Sequence, residues 1–157
     1  DILVNNAGAI PRGRIDEIDE RRWREAWDLK VFGYINMTRA FYALMTDLAA
    51  TGELAETLVI VASEFGRSPK VTLKNGGREH WPELYNVLFA GAGIQGGQTY
   101  GASDKLGGYP AENPVGPADF VATIYHMLGI DPHTELHDQQ NRPFQLTKGN
   151  PFPLLMS

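Results

Sequence analysis

The sequence predicts an α/β fold in which an incomplete layered sheet is flanked by helices, and three observations predict it. Short runs rich in β-branched and apolar residues, Ile2–Val4 and Thr57–Ala62 above all, end in small or polar residues, as buried strands do. An apolar spacing of three to four residues then runs from Asp19 to about Thr51, the pattern of an amphipathic helix. A second helical spacing covers Asp119–Leu128, so strands and helices alternate along the chain.

Bulk composition narrows the function classes. With 157 residues, 43% of them hydrophobic and 21% charged, the chain is the size of one globular domain. A net charge of -5 and scattered Lys and Arg argue against nucleic acid or anionic lipid as partners, because such binding rests on clustered cations. Arg21, Arg22 and Arg24, for example, are interleaved with acids. The absence of cysteine excludes disulfides, thiolate metal sites and a Cys nucleophile, and leaves the compartment open. No apolar run of about 18 residues predicts a membrane span, and no secretory signal pattern is present. The chain enters a strand pattern immediately after Asp1, from which a fragment is expected.

Element by element, Ile2–Val4 reads as a strand of a parallel sheet that stops at the turn Asn5, Asn6, Ala7 and Gly8. Asp19 is the expected N-cap of the long helix and Gly52 its stop. Unbroken, that helix would be roughly 50 Å long, so a break is expected at Gly33 or around Thr46. Thr57–Ala62 and Leu84–Ala90 are the strongest later strands. The stretch 63–82 between them reads as a long connection of the kind that carries function. Gln98–Gly101 reads as a short strand, and a Gly- and Pro-rich loop then leads to Pro117. Asp119–Leu128 reads as a helix closed by Gly129, and the tail from Asp131 as mostly loop.

Two family resemblances emerge. Asn5, Asn6, Ala7 and Gly8 after a buried strand resemble the NNAG signature of the short-chain dehydrogenase/reductase family, and Trp23–Tyr42 resembles its next long helix. The resemblance implies a Rossmann-like strand and helix in which Asn5, Asn6, Ala7 and Gly8 line an NAD(P) cofactor. The glycine-rich phosphate turn it calls for would lie upstream of Asp1, and the position of its relay Asn is Lys30 in this chain, with Asn36 out of register. Tyr100 and Lys105 do not stand in for the family's catalytic Tyr-x-x-x-Lys pair, because they are five residues apart in a Gly-rich loop.

From Thr46 onward the chain resembles the carboxyl-terminal part of the sulfatase-like domain-of-unknown-function family 1501, of the alkaline-phosphatase superfamily. The blocks TLVIVASEFGRSPK, GGREHWP, LFAGAGIQGGQTYGASD and ADFVATIYHMLGIDPHTELHD, from Thr57 to Asp138, carry it. It implies an alkaline-phosphatase-like fold and metal-assisted hydrolysis of a sulfate or phosphate ester, with a nucleophile and further metal ligands on strands that this chain does not contain. Where the superfamily bears an Asp-His ligand pair, this chain reads Glu64-Phe65.

The residues themselves make Glu64 and His80 candidate ligands of a divalent metal. Glu64 falls just past a strand end and His80 returns from the long connection, although two donors fall short of the three protein ligands a catalytic site needs. Pinning of the loop by hydrogen bonds is the structural alternative. Arg67 and Arg78 are weaker candidates for holding a sulfate or phosphate, because a guanidinium matches such oxygens bidentately. His126 reads as a structural histidine; His133, His137 and Asp138 have ligand-like spacing, but Pro132 argues against a preformed helix. The run Gly91–Gly97 lacks the ending of a phosphate loop.

The expected organisation is therefore a dehydrogenase-like segment, 1–45, joined near Ala43–Thr46 to a sulfatase-like segment, 46–157, with neither active site complete. The leading expectation is a sulfatase-like fragment, not catalytic alone. An NAD(P)-dependent oxidoreductase fragment is the first alternative. A non-catalytic interaction module that self-associates through incomplete sheet edges is the second. A partly open, marginally stable layer, better formed toward the carboxyl end, is expected for the whole.

Overall fold

A computed structural model describes residues 16–72 and 77–153. The strand expected at Ile2–Val4 lies outside them. The chain divides into two compact units, Asp1–Glu53 and Leu54–Ser157.

The described residues of the first unit are mainly helical. Asp19 has extended backbone, and its Oδ1 accepts the Arg22 N–H at 2.8 Å, which caps helix α1 (Glu20–Trp27) as its side chain predicts. Two i,i+4 ion pairs, Arg24 with Glu20 at 2.6 Å and Arg21 with Glu25 at 3.2 Å, line its exposed face. A π-helical segment, Asp28–Phe32, follows and ends where the Gly33 N–H donates back to the Asp28 carbonyl. Helix α2 (Gly33–Thr51) continues and stops at Gly52, whose φ of 81° needs a residue without Cβ. The expected break is not observed: the helix runs without a gap from Glu20 to Thr51, changing only its hydrogen-bond pattern over Asp28–Phe32. Around Thr46 the helix runs on, because the hydroxyl bonds the Tyr42 carbonyl of the preceding turn at 2.8 Å rather than interrupting the ladder.

The second unit is mixed. Strand β1 (Val59–Ala62) pairs antiparallel with β4 (Val87–Ala90), Val59 facing Ala90 and Ala62 facing Val87. Three further antiparallel hairpins join β2 (Gly66–Arg67) to β3 (His80–Trp81), β5 (Ala102–Ser103) to β6 (Pro110–Glu112), and β7 (Glu135–His137) to β8 (Pro143–Gln145). The α/β class stands, with the described strands paired as four separate two-stranded ladders. Three expectations change. The connection 63–82 holds a hairpin, extended beyond β2 and β3 by the Ser68 N–H to the Glu79 carbonyl at 3.0 Å. The short strand falls at Ala102–Ser103 rather than Gln98–Gly101, where Asp104 closes the turn by accepting the N–H groups of Leu106 and Gly108. The tail from Asp131 forms β7 and β8 around a turn built by Asp138. No helix among the described residues is long and apolar enough to cross a membrane.

Helix α3 (Pro117–Met127) organises this unit. Pro117 opens it at the position where a missing N–H costs nothing, and Asp119 Oδ2 accepts the N–H of the N-cap Gly116 at 3.2 Å. Ala122 and Thr123 are fully buried. The Thr123 hydroxyl donates to the Asp119 carbonyl at 2.7 Å and accepts the Phe152 N–H at 3.2 Å. Asp119 Oδ1 accepts the Asn150 N–H at 2.9 Å, and the Thr147 hydroxyl donates to the Ala118 carbonyl at 3.1 Å. Segment 147–152 is thereby strapped across the start of α3. Gly149 lies so close beneath it that a Cβ would land on the Ala118 backbone. Phe152 closes an aromatic cluster with Phe89 and Tyr100, at ring separations of 5.9 and 5.4 Å, and Phe89 meets Phe120 at 5.7 Å.

Replacing Thr123 by Val keeps the volume and orphans the Phe152 N–H, so unfolding in urea should show a loss of about 1–3 kcal/mol. Gly149→Ala should cost more, because backbone must move. Unchanged midpoints in both variants would show that the strap does not contribute to stability.

Candidate functional site

Strand β1 leads directly into the β2–β3 hairpin, and the candidate residues sit on that passage. Gly66 pairs with Trp81 and Arg67 with His80. Direct cross-strand partners point to the same side of a ladder, so Arg67 and His80 share one face; Arg78 precedes β3, and its backbone carbonyl lies within reach of Arg67. Phe65 joins them: its ring stacks on the His80 imidazole with centroids 3.9 Å apart at 21°. The Arg67 guanidinium lies 6.0 Å from the Phe65 ring centre, and its Nη1 donates to the Arg78 carbonyl at 3.2 Å. Phe65 is half-buried, whereas Arg67, Arg78 and His80 are exposed.

The opposite face of the hairpin is the anchored one. Trp81 Nε1 donates to the Gly108 carbonyl at 2.6 Å, and its ring meets Tyr109 edge-on at 5.5 Å. Gly66 passes so near Leu84 that a Cβ would collide with the Leu84 carbonyl. The buried Ser68 hydroxyl donates to the Lys70 carbonyl at 2.8 Å and accepts the Glu79 N–H at 3.2 Å. Glu79 Oε1 accepts from Thr72 at 2.9 Å. One face is therefore held by hydrogen bonds and packing while the basic and aromatic face stays open to solvent.

Glu64 is exposed at the turn between β1 and β2. The described residues contain no group of three or more His, Cys, Asp or Glu placed to hold a metal ion. His133 and His137 do not converge: His133 Nε2 lies 3.1 Å from the Gly149 carbonyl, and His137 pairs with Glu135 at 3.5 Å. His126 is exposed on the last turn of α3, past the buried Ala122 and Thr123, so it does not pack as a structural histidine would. Tyr100 stacks on Phe152, within the aromatic cluster. Asn5, Asn6, Ala7 and Gly8 lie outside the described residues, and Lys30 is half-buried in the π-helical segment. A groove of about 300 Å³ lies on α1 and the π-helical segment, lined by Trp23, Trp27 and Phe32 with Glu20, Arg24 and Asp28, and contains none of the candidate residues. Sequence reasoning missed Phe65; its place next to Glu64 after a strand carried no signal that its ring would reach His80.

These features define a mixed α/β protein that presents a basic, aromatic hairpin face at the end of a strand. The chain belongs to the family described as protein of unknown function (DUF1501), whose model matches residues 34–154. That match covers about three quarters of the chain and begins at Tyr34, within α2. No curated protein and no solved structure matches it.

One titration follows from the β7–β8 turn. The Arg142 backbone N–H holds the Asp138 carboxyl below its ordinary range, helped by the Arg142 guanidinium at 2.6 Å and the Gln140 N–H, against a smaller opposing effect of desolvation. Because the folded pKa is the lower one, the turn's contribution is complete above about pH 5 and is lost as pH falls through the folded value. Amide exchange at Arg142 should therefore accelerate in acid beyond its intrinsic trend. In Asp138→Asn that acid-dependent step should vanish; a step that persists would assign it to another group.

Proposed function

We propose that the chain is the carboxyl-terminal part of a sulfatase-like protein of the alkaline-phosphatase superfamily, serving metal-assisted hydrolysis of a sulfate or phosphate ester and not catalytic alone. The observation that supports this reading is the hairpin following β1, in which Arg67 pairs with His80 and bonds the Arg78 carbonyl. Guanidinium groups match the oxygens of such esters. Family membership across residues 34–154 supports the reading without naming a reaction. The layered superfamily sheet belongs to the same proposal, with β1 and β4 as two of its strands, since both have an outer edge unpaired among the described residues.

The metal does not fit the described residues by themselves. Glu64 and His80 are two donors, fewer than a catalytic site needs, and are proposed only as contributors beside ligands that the described residues do not supply. After dialysis from excess zinc or manganese, elemental analysis should find well under one metal per chain. Sulfate and phosphate monoesters titrated with either metal present should bind without turnover. Failure of every ester to bind would remove the ester reading, and turnover abolished by Glu64→Gln or His80→Ala would show the chain to be catalytic alone.

A second reading, self-association, is favoured by a separate observation. Val61 and Leu88 face one another across β1 and β4, and each remains about half exposed, at 49% and 50%. An apolar cross-strand pair beside unpaired edges is a template for a second strand pair. Light scattering should show the mass rising with concentration, and less so in Val61→Lys; a mass that stays monomeric throughout would discard this reading.

A further inference from the structure

We infer that the β2–β3 hairpin binds a tetrahedral oxyanion, sulfate or phosphate, through Arg67, Arg78 and His80 without a metal ion. The inference rests on the proposed ester chemistry for its ligand class and goes beyond it in assigning the binding to these three side chains alone. Among the described residues no group of three or more carboxylates, imidazoles or thiolates is placed to hold a metal ion, so in this chain without further ligands His80 is assigned as a hydrogen-bond donor beside Arg67.

Three features of the hairpin favour an anion. Arg67 and His80 are direct cross-strand partners, and the reach of Arg67 Nη1 to the Arg78 carbonyl at 3.2 Å brings its guanidinium beside residue 78. That bond uses one of five N–H donors, and those that remain suit bidentate contact with a tetrahedral anion. Local charge agrees: between residues 64 and 80, Arg67, Lys70, Lys74 and Arg78 outnumber Glu64 and Glu79, in a chain of net charge -5. Glu79 is already engaged with Thr72 at 2.9 Å.

Phe65 is the positioning residue. Its ring, 3.9 Å from the imidazole, restricts rotation of His80 by covering one face and leaves the ring nitrogens at the edge for a ligand. The anchored opposite face holds the backbone that carries these groups, through Trp81 Nε1 to the Gly108 carbonyl at 2.6 Å. The cradle is thus an exposed set of donors on a fixed hairpin, which binds anions weakly and with a strong dependence on salt.

The test is calorimetric titration of the whole chain with inorganic phosphate and with sulfate, in low salt and with a chelator present. Saturable binding is expected, weakened about tenfold in Arg67→Ala and in Arg78→Ala, as loss of a charge-assisted contact implies. Arg67→Lys, which keeps the charge and loses the fork, should fall between. Phe65→Leu should broaden the His80 imidazole resonances and weaken binding less than either arginine change. Thermal melts should be unaltered in the arginine variants, because both side chains are exposed. Absence of saturation by either anion, binding that appears only when zinc or manganese is added, or arginine variants that bind as tightly as the parent would each overturn the inference. Metal-dependent binding would leave the ester reading standing, whereas chelator-resistant anion binding without ester binding would remove that reading and keep this one.

Discussion

Asp119 and Thr123 satisfy backbone donors that lie 29 to 31 residues further along the chain, and much of the carboxyl-terminal unit depends on that exchange. Asp119 stabilises the helix start with one carboxylate oxygen and holds Asn150 with the other. Thr123, one turn on, lies fully buried, yet its hydroxyl is doubly used. Burying a hydroxyl is unfavourable unless it is hydrogen-bonded, so these bonds turn a penalty into a specific docking of segment 147–152. Docking then brings Phe152 against Phe89 and Tyr100, which links α3 through Phe89 to the strand that pairs with β1.

The same division between an anchored side and a free side recurs in the hairpin that follows β1. Trp81, Gly66 and Ser68 fix its back through close packing and directed bonds, and none of them bears a group suited to ligand chemistry in that position. Arg67 and His80 stay on the exposed side, where their contacts are the bond from Arg67 to the Arg78 carbonyl and the packing of both against Phe65. Polar groups on a rigid element are better positioned than on a mobile loop, because the entropy of ordering them has already been lost in folding. The proposed oxyanion role depends on this separation more than on any single residue.

Much of the fold was legible in the sequence where the signal is local. The Asp19 cap, the Gly52 stop, β1, β4 and α3 all follow from residues acting on their immediate neighbours. The hairpins β2–β3, β5–β6 and β7–β8 were not, because strands of two or three residues are too short to show alternation. The β5–β6 and β7–β8 turns rest on side-chain bonds of Asp104 and Asp138, which composition alone does not distinguish from loop. The candidate site divides in the same way. Glu64, His80, Arg67 and Arg78 could be nominated by residue type, whereas the Phe65 stack on His80, across fifteen positions of sequence, could not.

By itself the sequence determined the mixed α/β class, the presence of the helices with the cap and stop of the first, strands β1 and β4 and, through long ordered blocks, the family, because each is written in spacing or identity along the chain. Only the tertiary structure decided which residues face one another: Arg67 opposite His80, Val61 opposite Leu88, and Thr123 beneath Phe152. The physical reason is that register and docking are chosen by hydrogen bonds and packing between distant segments. Their energies depend on shapes and unsatisfied groups that exist only once both partners are folded.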